Sequence, residues 1–392
     1  MSSPLTSASV IPVNFLKRIA ALCIVGASVL LLAIGLRSDS GNLSNRDFIA
    51  YWSAGQLLIH NQNPYSDTRV LNLEQKQGYK EAVASTMLNP PWAMIFVLPL
   101  GLVGAYPGAL AWTLVVVTCI VISIRLLRII NGGQHTQDHL IAYAFAPVLA
   151  CIMGAQMAAF ACLGLVLFLY WRNTHPFGAG IAAVALTIKP HLFLLFFLIL
   201  LIDGSRHRRF RTLYGVLLGV AIAIAIPLTF NHNLISEYLN RGRLGQVGEA
   251  FIPTVSFMLR LAIAENAFWI QFAPLAAAVI WAVWYYARNR DSWDWNQQGL
   301  LLLAVSVWVA PYSTFLDEVV LLPIVIAGIS LTGQGRTVKR LALPIFFGLN
   351  VVAFALLLGQ VPVMSGAYIW TTTAWLLWYF YVSAGPELQP VA

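Results

Sequence analysis

Long runs of apolar residues, separated by short polar segments, make up most of this chain. The first run covers residues 15–36 and has Lys17 and Arg18 at its start. Later runs begin near Leu88, Tyr106, His139, Gln156, Phe177, Thr212, Phe268, Gly299, Glu318, Leu341 and Gly366. Since a helix needs about 20 apolar residues to cross the hydrocarbon core of a bilayer, the pattern predicts about 12 transmembrane helices.

The composition excludes a soluble protein. Of the 392 residues, 59% are hydrophobic and 10% are charged, and the mean hydropathy is +0.76. A soluble domain carries about 25% charged residues. No run has the alternating polarity of a barrel strand, and backbone groups in lipid must bond within their own segment. We therefore expect an all-α polytopic membrane protein, with residues 1–392 forming one domain.

The distribution of basic residues predicts the orientation, because short cytoplasmic loops are enriched in Lys and Arg. Three basic clusters are assigned to the cytoplasm on this rule: residues 206–211, 288–290 and 336–340. Both termini then lie in the cytoplasm as well. The polar residues 37–90 become the first outer loop, and residues 231–266 become the second.

Arg125 and Arg128 disagree with this orientation, because about 12 crossings would carry them to the outside. Region 88–190 therefore has an alternative path that contains a half-spanning or re-entrant segment. We place that segment around the sequence Pro90-Pro91-Trp92.

The charges and the metal-binding residue types limit the partners. The net charge of +8 is spread over the ends of apolar runs, whereas a nucleic-acid surface needs its cations on one face. No nucleic-acid partner is expected. The cysteines all lie inside apolar runs, so no disulfide framework is implied; they are Cys23, Cys119, Cys151 and Cys162. The histidines lack ligand spacing, so neither a metal nor a cofactor is expected.

The first outer loop contains two amphipathic segments. The apolar residues of segment 47–60 recur at three- and four-residue spacing: Phe48, Tyr51, Trp52, Gly55 and Leu58. This spacing predicts a short helix lying in the membrane interface. A second interfacial helix is predicted over residues 67–84.

Asp47 stands at the start of the first of these helices, and two interpretations of it are open. Asp is favoured as a helix N-cap, where its carboxylate accepts a backbone hydrogen bond. A carboxylate at the outer membrane surface is also well placed to take a proton from a hydroxyl group. The two roles are compatible.

Lys189 lies deep inside an apolar stretch, where a charge is costly and normally faces the bundle interior with a partner. Pro190 interrupts the helix beside it and leaves a backbone carbonyl that a cavity could use. Lys189 is thus either a cation for a phosphate group or a structural lysine that pairs with a carbonyl.

Several short motifs occur in order over most of the chain. They are Asp47-Phe48 with Tyr51, Asn63-Pro64-Tyr65, Asn89-Pro90-Pro91, Gly154-Ala155-Gln156, Ile188-Lys189-Pro190, Ser256 followed by Arg260, Ala310-Pro311-Tyr312-Ser313, and Leu321-Leu322-Pro323. Together they resemble glycosyltransferase family 87, whose members are membrane glycosyltransferases of the GT-C class. Known members include polyprenyl-phosphate-mannose-dependent mannosyltransferases of bacterial envelopes.

The resemblance implies a GT-C-like bundle and transfer of a hexose, such as mannose, with inversion. The donor would be a polyprenyl-phosphate-linked sugar, and the acceptor an envelope glycolipid or glycan on the outer face of a bacterial plasma membrane. Asp47 matches the acidic residue taken as the catalytic base of the family. The cations considered for the donor phosphate are Lys189, Arg260, Arg241 and Arg243. The side chains considered for the acceptor or the sugar are Tyr51, Tyr65, Gln156, Asp317 and Glu318.

The chain departs from the family pattern in two places. Many relatives have a histidine after the Pro-Tyr-Ser turn, where this chain has Phe315-Leu316-Asp317-Glu318. The family's Asn before Ser256 is also missing.

A membrane transporter or lipid flippase with Lys189 in its path is the alternative function.

Overall fold

The computed structural model describes residues 47–132, 138–242, 251–332 and 341–383. The predicted first span, Arg243 and the basic cluster 336–340 lie outside these residues. The α-helices are α1 Phe48–Ile59, α2 Asp67–Lys76, α3 Met94–Val97, α4 Ala105–Ile130, α5 Ala146–Gly154, α6 Ala158–Trp171, α7 Pro176–Ala183, α8 Leu194–Arg206, α9 Phe210–Phe230, α10 Leu234–Gly242, α11 Val255–Ile263, α12 Ala273–Asn289, α13 Gln298–Trp308, α14 Leu322–Thr332, α15 Ala342–Leu358 and α16 Thr371–Ser383.

Short 3-10 helices extend or connect many of them. They are Pro91–Ala93, Leu98–Leu102, Asp138–Ala144, Val184–Ile188, Phe268–Phe272, Arg290–Ser292, Phe315–Leu321 and Gly366–Tyr368. Within the described ranges there is no strand, which agrees with the predicted all-α class. The starts of the apolar runs were predicted closely: α4 begins beside Tyr106 and α13 beside Gly299.

Among the described residues, three helical segments are long and apolar enough to cross a membrane: Ala105–Ile130, Phe210–Phe230 and Phe268–Ser292. The shorter apolar helices are Phe48–Ile59, Pro91–Leu102, Ala158–Trp171, Pro176–Ile188, Gln298–Trp308 and Ala342–Leu358. The count of about 12 crossings therefore stays a prediction.

Helix α1 is not the amphipathic surface helix that its spacing predicted. The helix forms where the amphipathic spacing placed it, but it is buried on nearly every side, and only Gln56 and Ile59 of its residues keep partial exposure. The reason is that the segment Pro91–Leu102 approaches α1 closely at Gly55, so α1 is a core helix.

The second predicted interfacial helix is shorter than expected. Helix α2 ends at Lys76, and Gly78 follows with φ 90°. A positive φ of this size is accessible to glycine and ends the helix. The rest of the predicted segment, residues 77–84, is irregular.

The segment Pro91–Leu102 is too short to cross the bilayer, because a crossing helix needs about 20 residues. It changes from 3-10 to α and back to 3-10 within this length. Its length favours the half-spanning alternative for region 88–190. The segment packs against α1, and their backbones touch: a Cβ on Gly55 would lie 2.4 Å from the carbonyl oxygen of Val97.

Three interruptions between helices lie close to one another in the bundle. They are residues 155–157 between α5 and α6, residues 189–193 before α8, and residues 309–314 after α13. Helix α5 and helix α6 both pack on Phe315–Leu321, and α6 also packs on Val184–Ile188. Irregular backbone at membrane depth is tolerated where it is buried in protein or lines a cavity. The motif residues Gln156, Lys189 and Pro311 all lie in these interruptions.

Candidate active site

Asp47 is fixed by the loop between α5 and α6. Its backbone N–H donates to the carbonyl oxygen of Gly154 at 3.1 Å. Its Oδ2 accepts a hydrogen bond of 2.5 Å from Nε2 of Gln156. The carboxylate makes no capping hydrogen bond to α1. Asp47 is half-buried and directed to a side chain of another element, so the N-cap interpretation does not describe its contacts.

Gln156 connects Asp47 to Tyr51. Oε1 of Gln156 accepts the hydroxyl hydrogen of Tyr51 at 2.5 Å and the backbone N–H of Met157 at 2.9 Å. Tyr51 and Gln156 are 4% and 5% exposed, so both side chains are enclosed. The backbone before Gln156 is constrained as well, because Ala155 has φ 54° and its carbonyl accepts from the indole of Trp112 at 2.8 Å.

Lys189 forms an ion pair with Asp317. Its ammonium nitrogen lies 2.5 Å from Oδ1 of Asp317, and the two side chains are 12% and 4% exposed. The second oxygen of Asp317 accepts from the backbone N–H of Thr314 at 3.0 Å and from its hydroxyl at 3.3 Å. This is a capping box at the start of Phe315–Leu321. Asp317 is therefore held from both sides, and Lys189 has a carboxylate rather than a carbonyl as its partner.

The two pairs are connected through packing. A Cβ on Gly154, which accepts the Asp47 amide, would lie 2.9 Å from the side chain of Leu316. Leu316 precedes Asp317. Both Asp47 and Asp317 are close enough to the Tyr51 hydroxyl to act on it electrostatically. Asp47, Tyr51 and Gln156 thus form one side of a polar region whose other side is Lys189 with Asp317.

The end of the first outer loop is tied to the segment before Lys189. The side chain of Asn89 donates to the carbonyl oxygen of Ile188 at 3.0 Å. The indole of Trp92 donates to the carbonyl oxygen of Thr187 at 2.9 Å. The hydroxyl of Tyr65 donates to the carbonyl oxygen of Asn89 at 3.1 Å. Tyr65 is 2% exposed, so it supports this loop from within.

The arginines considered for the donor phosphate have other contacts. Arg260 is buried on α11 and donates to Oε1 of Gln271 at 3.0 Å, with the Phe257 ring 4.8 Å away. Gln271 in turn donates to the carbonyl oxygen of Pro311. Arg241 pairs with Asp67 of the outer loop at 2.8 Å. These contacts connect Arg260 to the Pro311 turn and Arg241 to the outer loop.

Glu318 follows Asp317 in the segment Phe315–Leu321 and is buried. Its carboxylate accepts from the hydroxyl of Thr371 and, at 3.1 Å, from the indole of Trp375. Both donors belong to α16. The contacts of Glu318 thus anchor the last described helix to the site segment.

The sequence analysis did not identify two residues that belong to the site, Thr314 and Gln271. Thr314 holds Asp317, and the Thr-x-x-Asp spacing of a capping box was a readable signal for it. Gln271 joins Arg260 to the Pro311 turn, and nothing in its surrounding sequence marks it. Within the described part of the chain, no three His, Cys, Asp or Glu side chains group as metal ligands would.

The family assignment follows from a comparison that covers most of these motifs. The sequence model of glycosyltransferase family 87 matches residues 88–311, which is more than half of the chain. The chain belongs to this family. The resemblance seen in the motifs is thereby confirmed, and the protein is a membrane glycosyltransferase. Comparison with curated proteins and with solved structures found no match.

The matched range includes Gln156, Lys189 and Arg260. Asp47 lies before it, and Asp317 and Glu318 lie after it. The roles of these three carboxylates in this family member therefore depend on the geometry described above.

Proposed function

We propose that this family 87 enzyme transfers a hexose, such as mannose, from a polyprenyl-phosphate donor to a glycolipid or glycan acceptor. The reaction takes place on the outer face of a bacterial plasma membrane whose lipids surround the protein, and both termini are cytoplasmic. The supporting observation is that the Asp47 carboxylate is held by Gln156 and is not used to cap α1. Neither a nucleic acid nor a metal takes part.

Asp47 acts as the general base in this proposal. It takes the proton of an acceptor hydroxyl, and the acceptor oxygen attacks the anomeric carbon of the donor. The bond between that carbon and the phosphate oxygen breaks, and the polyprenyl phosphate leaves with the electron pair. One displacement of this kind inverts the anomeric carbon. General-base catalysis of this type contributes about 10²- to 10⁴-fold in rate.

Lys189 is the cation that this mechanism places at the donor phosphate. Its ammonium is available only if it exchanges Asp317 for the phosphate or contacts both. A lysine is suited to this, because its three donors sit on a flexible stem. Arg260, Arg241 and Arg243 remain further candidates for the phosphate, and Tyr65 and Glu318 for the acceptor or sugar.

An apolar cavity in the helical bundle supports a lipid-borne donor. It has a volume of about 410 Å³ and lies between α6, α7, α9 and the segment Val184–Ile188. Every residue that lines it is apolar, including Phe96, Phe160 and Ile222. Ala185, one of the lining residues, precedes Lys189 by four positions, and in this proposal a polyprenyl chain in the cavity extends its phosphate toward the lysine.

The pairing of Lys189 favours an enzyme over a transporter or flippase. A translocation path requires a cation that faces water. Lys189 is instead 12% exposed and paired with a carboxylate that is itself held by Thr314.

The test is sugar transfer by purified protein in liposomes. The donors are polyprenyl-phosphate-linked radiolabelled mannose and glucose, and the acceptors are an envelope lipid extract. We expect Asp47→Asn and Asp47→Ala to abolish label transfer while remaining folded. The control is Asp291→Asn, an acid whose side chain is 83% exposed. Normal transfer by Asp47→Asn would exclude Asp47 as the base, and movement of donor across the bilayer without a new product would indicate a flippase.

A further inference from the structure

The amide of Gln156 has a defined orientation between two partners. The backbone N–H of Met157 donates to one atom of the amide at 2.9 Å. A backbone N–H has no acceptor capacity, so the atom that faces it must be Oε1. The NH₂ group then has to face Oδ2 of Asp47. Met157 therefore determines that Gln156 donates to Asp47.

The loop that carries Gln156 is held in an uncommon conformation. Ala155 has φ 54°, in the left-handed region where a residue with a Cβ costs roughly 1–2 kcal/mol. Such residues persist when the surrounding structure determines them, and they are frequent at active sites. Here the indole of Trp112 binds the carbonyl of Ala155. The conformation brings the Gln156 amide next to Asp47.

We infer that Gln156 is a positioning residue for the general base, rather than a ligand of the acceptor or the sugar. This inference rests on the proposed role of Asp47. The hydrogen bond from Nε2 sets the rotation of the Asp47 carboxylate, and the bonds to Tyr51 and Met157 set the rotation of the amide. A hydrogen bond donated to a carboxylate also favours its ionised form, which is the form that accepts a proton.

Among the described residues, the charged and titratable groups near this network are Tyr51 on α1, Cys151 on α5 and the Lys189–Asp317 pair. Gln156→Leu leaves Cys151 and the ion pair unchanged but removes the acceptor of the Tyr51 hydroxyl. A phenol titrates at alkaline pH, so a shift of the acidic limb reports on the bond to Asp47.

Two substitutions separate positioning from binding. Gln156→Leu removes the donor and the acceptor with similar volume. Gln156→Glu keeps the acceptor for Met157 and Tyr51 but places a second carboxylate against Asp47, so that the two must share a proton. We expect kcat to fall about 10- to 100-fold in Gln156→Leu, with KM for the donor and the acceptor extract little changed. The acidic limb of the rate profile should move to higher pH in both variants, by about one pH unit or more.

Gln56→Leu is the matched control. Gln56 is also on α1, and its amide donates to the carbonyl oxygens of Gly101 and Val103 at 2.9 and 3.1 Å. Its loss should lower stability without moving the acidic limb. The assay uses polyprenyl-phosphate-linked mannose and glucose in liposomes.

The outcomes distinguish this inference from the proposed function. If Asp47→Asn is inactive while both Gln156 variants keep the wild-type acidic limb, or raise KM alone, Gln156 does not position the base. If Asp47→Asn retains turnover, the proposed base itself is wrong. Should Gln156→Leu fail to fold, the isosteric Gln156→Glu gives the same decision.

Discussion

The ammonium nitrogen of Lys189 lies 2.5 Å from Oδ1 of Asp317, although 128 positions separate the two residues. Both side chains are largely removed from water. Charges in such a place lose their hydration, and their mutual attraction offsets that loss only with good geometry and further hydrogen bonds. Thr314 supplies those bonds to Asp317.

Removal of one partner of this pair should be strongly destabilising. We expect Asp317→Asn to lower the free energy of unfolding by about 3–5 kcal/mol, because it leaves the Lys189 charge without a counter-charge. The double variant Lys189→Met with Asp317→Leu should recover most of this loss. Unfolding in mixed detergent micelles measures it, with Asp291→Asn as the exposed control. Additive losses in the double variant would show that the two residues are not coupled.

The contact between α1 and the end of α3 predicts an effect of a single methyl group. A Cβ on Gly55 would lie 2.4 Å from the backbone oxygen of Val97, and backbone cannot move aside as a side chain can. Gly55→Ala should therefore cost about 1–3 kcal/mol and reduce transfer, because α1 carries Asp47 at its start.

Gly348→Ala is the control for that substitution, since nothing lies within 4 Å of the added Cβ. Gly348 is inside α15, where alanine is favoured over glycine by up to about 1 kcal/mol. We expect equal or higher stability for Gly348→Ala. Equal stability of the two variants in thermal unfolding would contradict the close approach at Gly55.

Glu318 should contribute to stability because its carboxylate oxygens accept hydrogen bonds from two side chains of α16. Glu318→Leu leaves the indole N–H of Trp375 and the hydroxyl of Thr371 without this carboxylate. An unsatisfied buried donor costs about 1–3 kcal/mol. The Thr371 hydroxyl, which has one hydrogen to donate, also lies 2.7 Å from the carbonyl oxygen of Tyr368. It can donate to that carbonyl when Glu318 is replaced, so most of the loss should arise at Trp375. The measurement is the unfolding midpoint together with Trp fluorescence, and Glu265→Leu, at an exposed acid, should leave both unchanged.

The outer loop should lose stability as pH rises, because of Glu74. Burial raises the pKa of this carboxyl, the hydrogen bond from the Ser85 amide acts in the opposite direction, and Asp67 raises it further. A raised pKa means that the folded state binds the proton more tightly than the unfolded state. Its stabilising effect is complete below the unfolded pKa and is lost as pH rises through the folded pKa.

Glu74→Gln should therefore stabilise the loop near neutral pH and have little effect in acid, at about pH 4. Hydrogen exchange of amides in residues 67–88 measures this, with the exposed Glu81→Gln as control. A variant that is destabilised near neutral pH but not in acid would show that the ionised carboxylate stabilises the loop, which contradicts the prediction.

The local features of this protein could be predicted because they depend on neighbouring residues. The apolar runs predicted where α4 and α13 begin. The depth of Lys189 also predicted that it would have a partner. The length of an apolar run and the cost of burying a charge within it depend on one segment, so both can be estimated from the sequence of that segment.

Which partners meet was decided only by the packing of helices. Lys189 could have paired with a carbonyl, but in the folded protein its partner is Asp317, 128 positions away. Asp47 could have capped α1, but its carboxylate binds Gln156, 109 positions away. The burial of α1 was decided in the same way, since it depends on Gly101 reaching Gly55. Contacts between distant segments follow from the shape of the whole bundle, and no local pattern contains that shape.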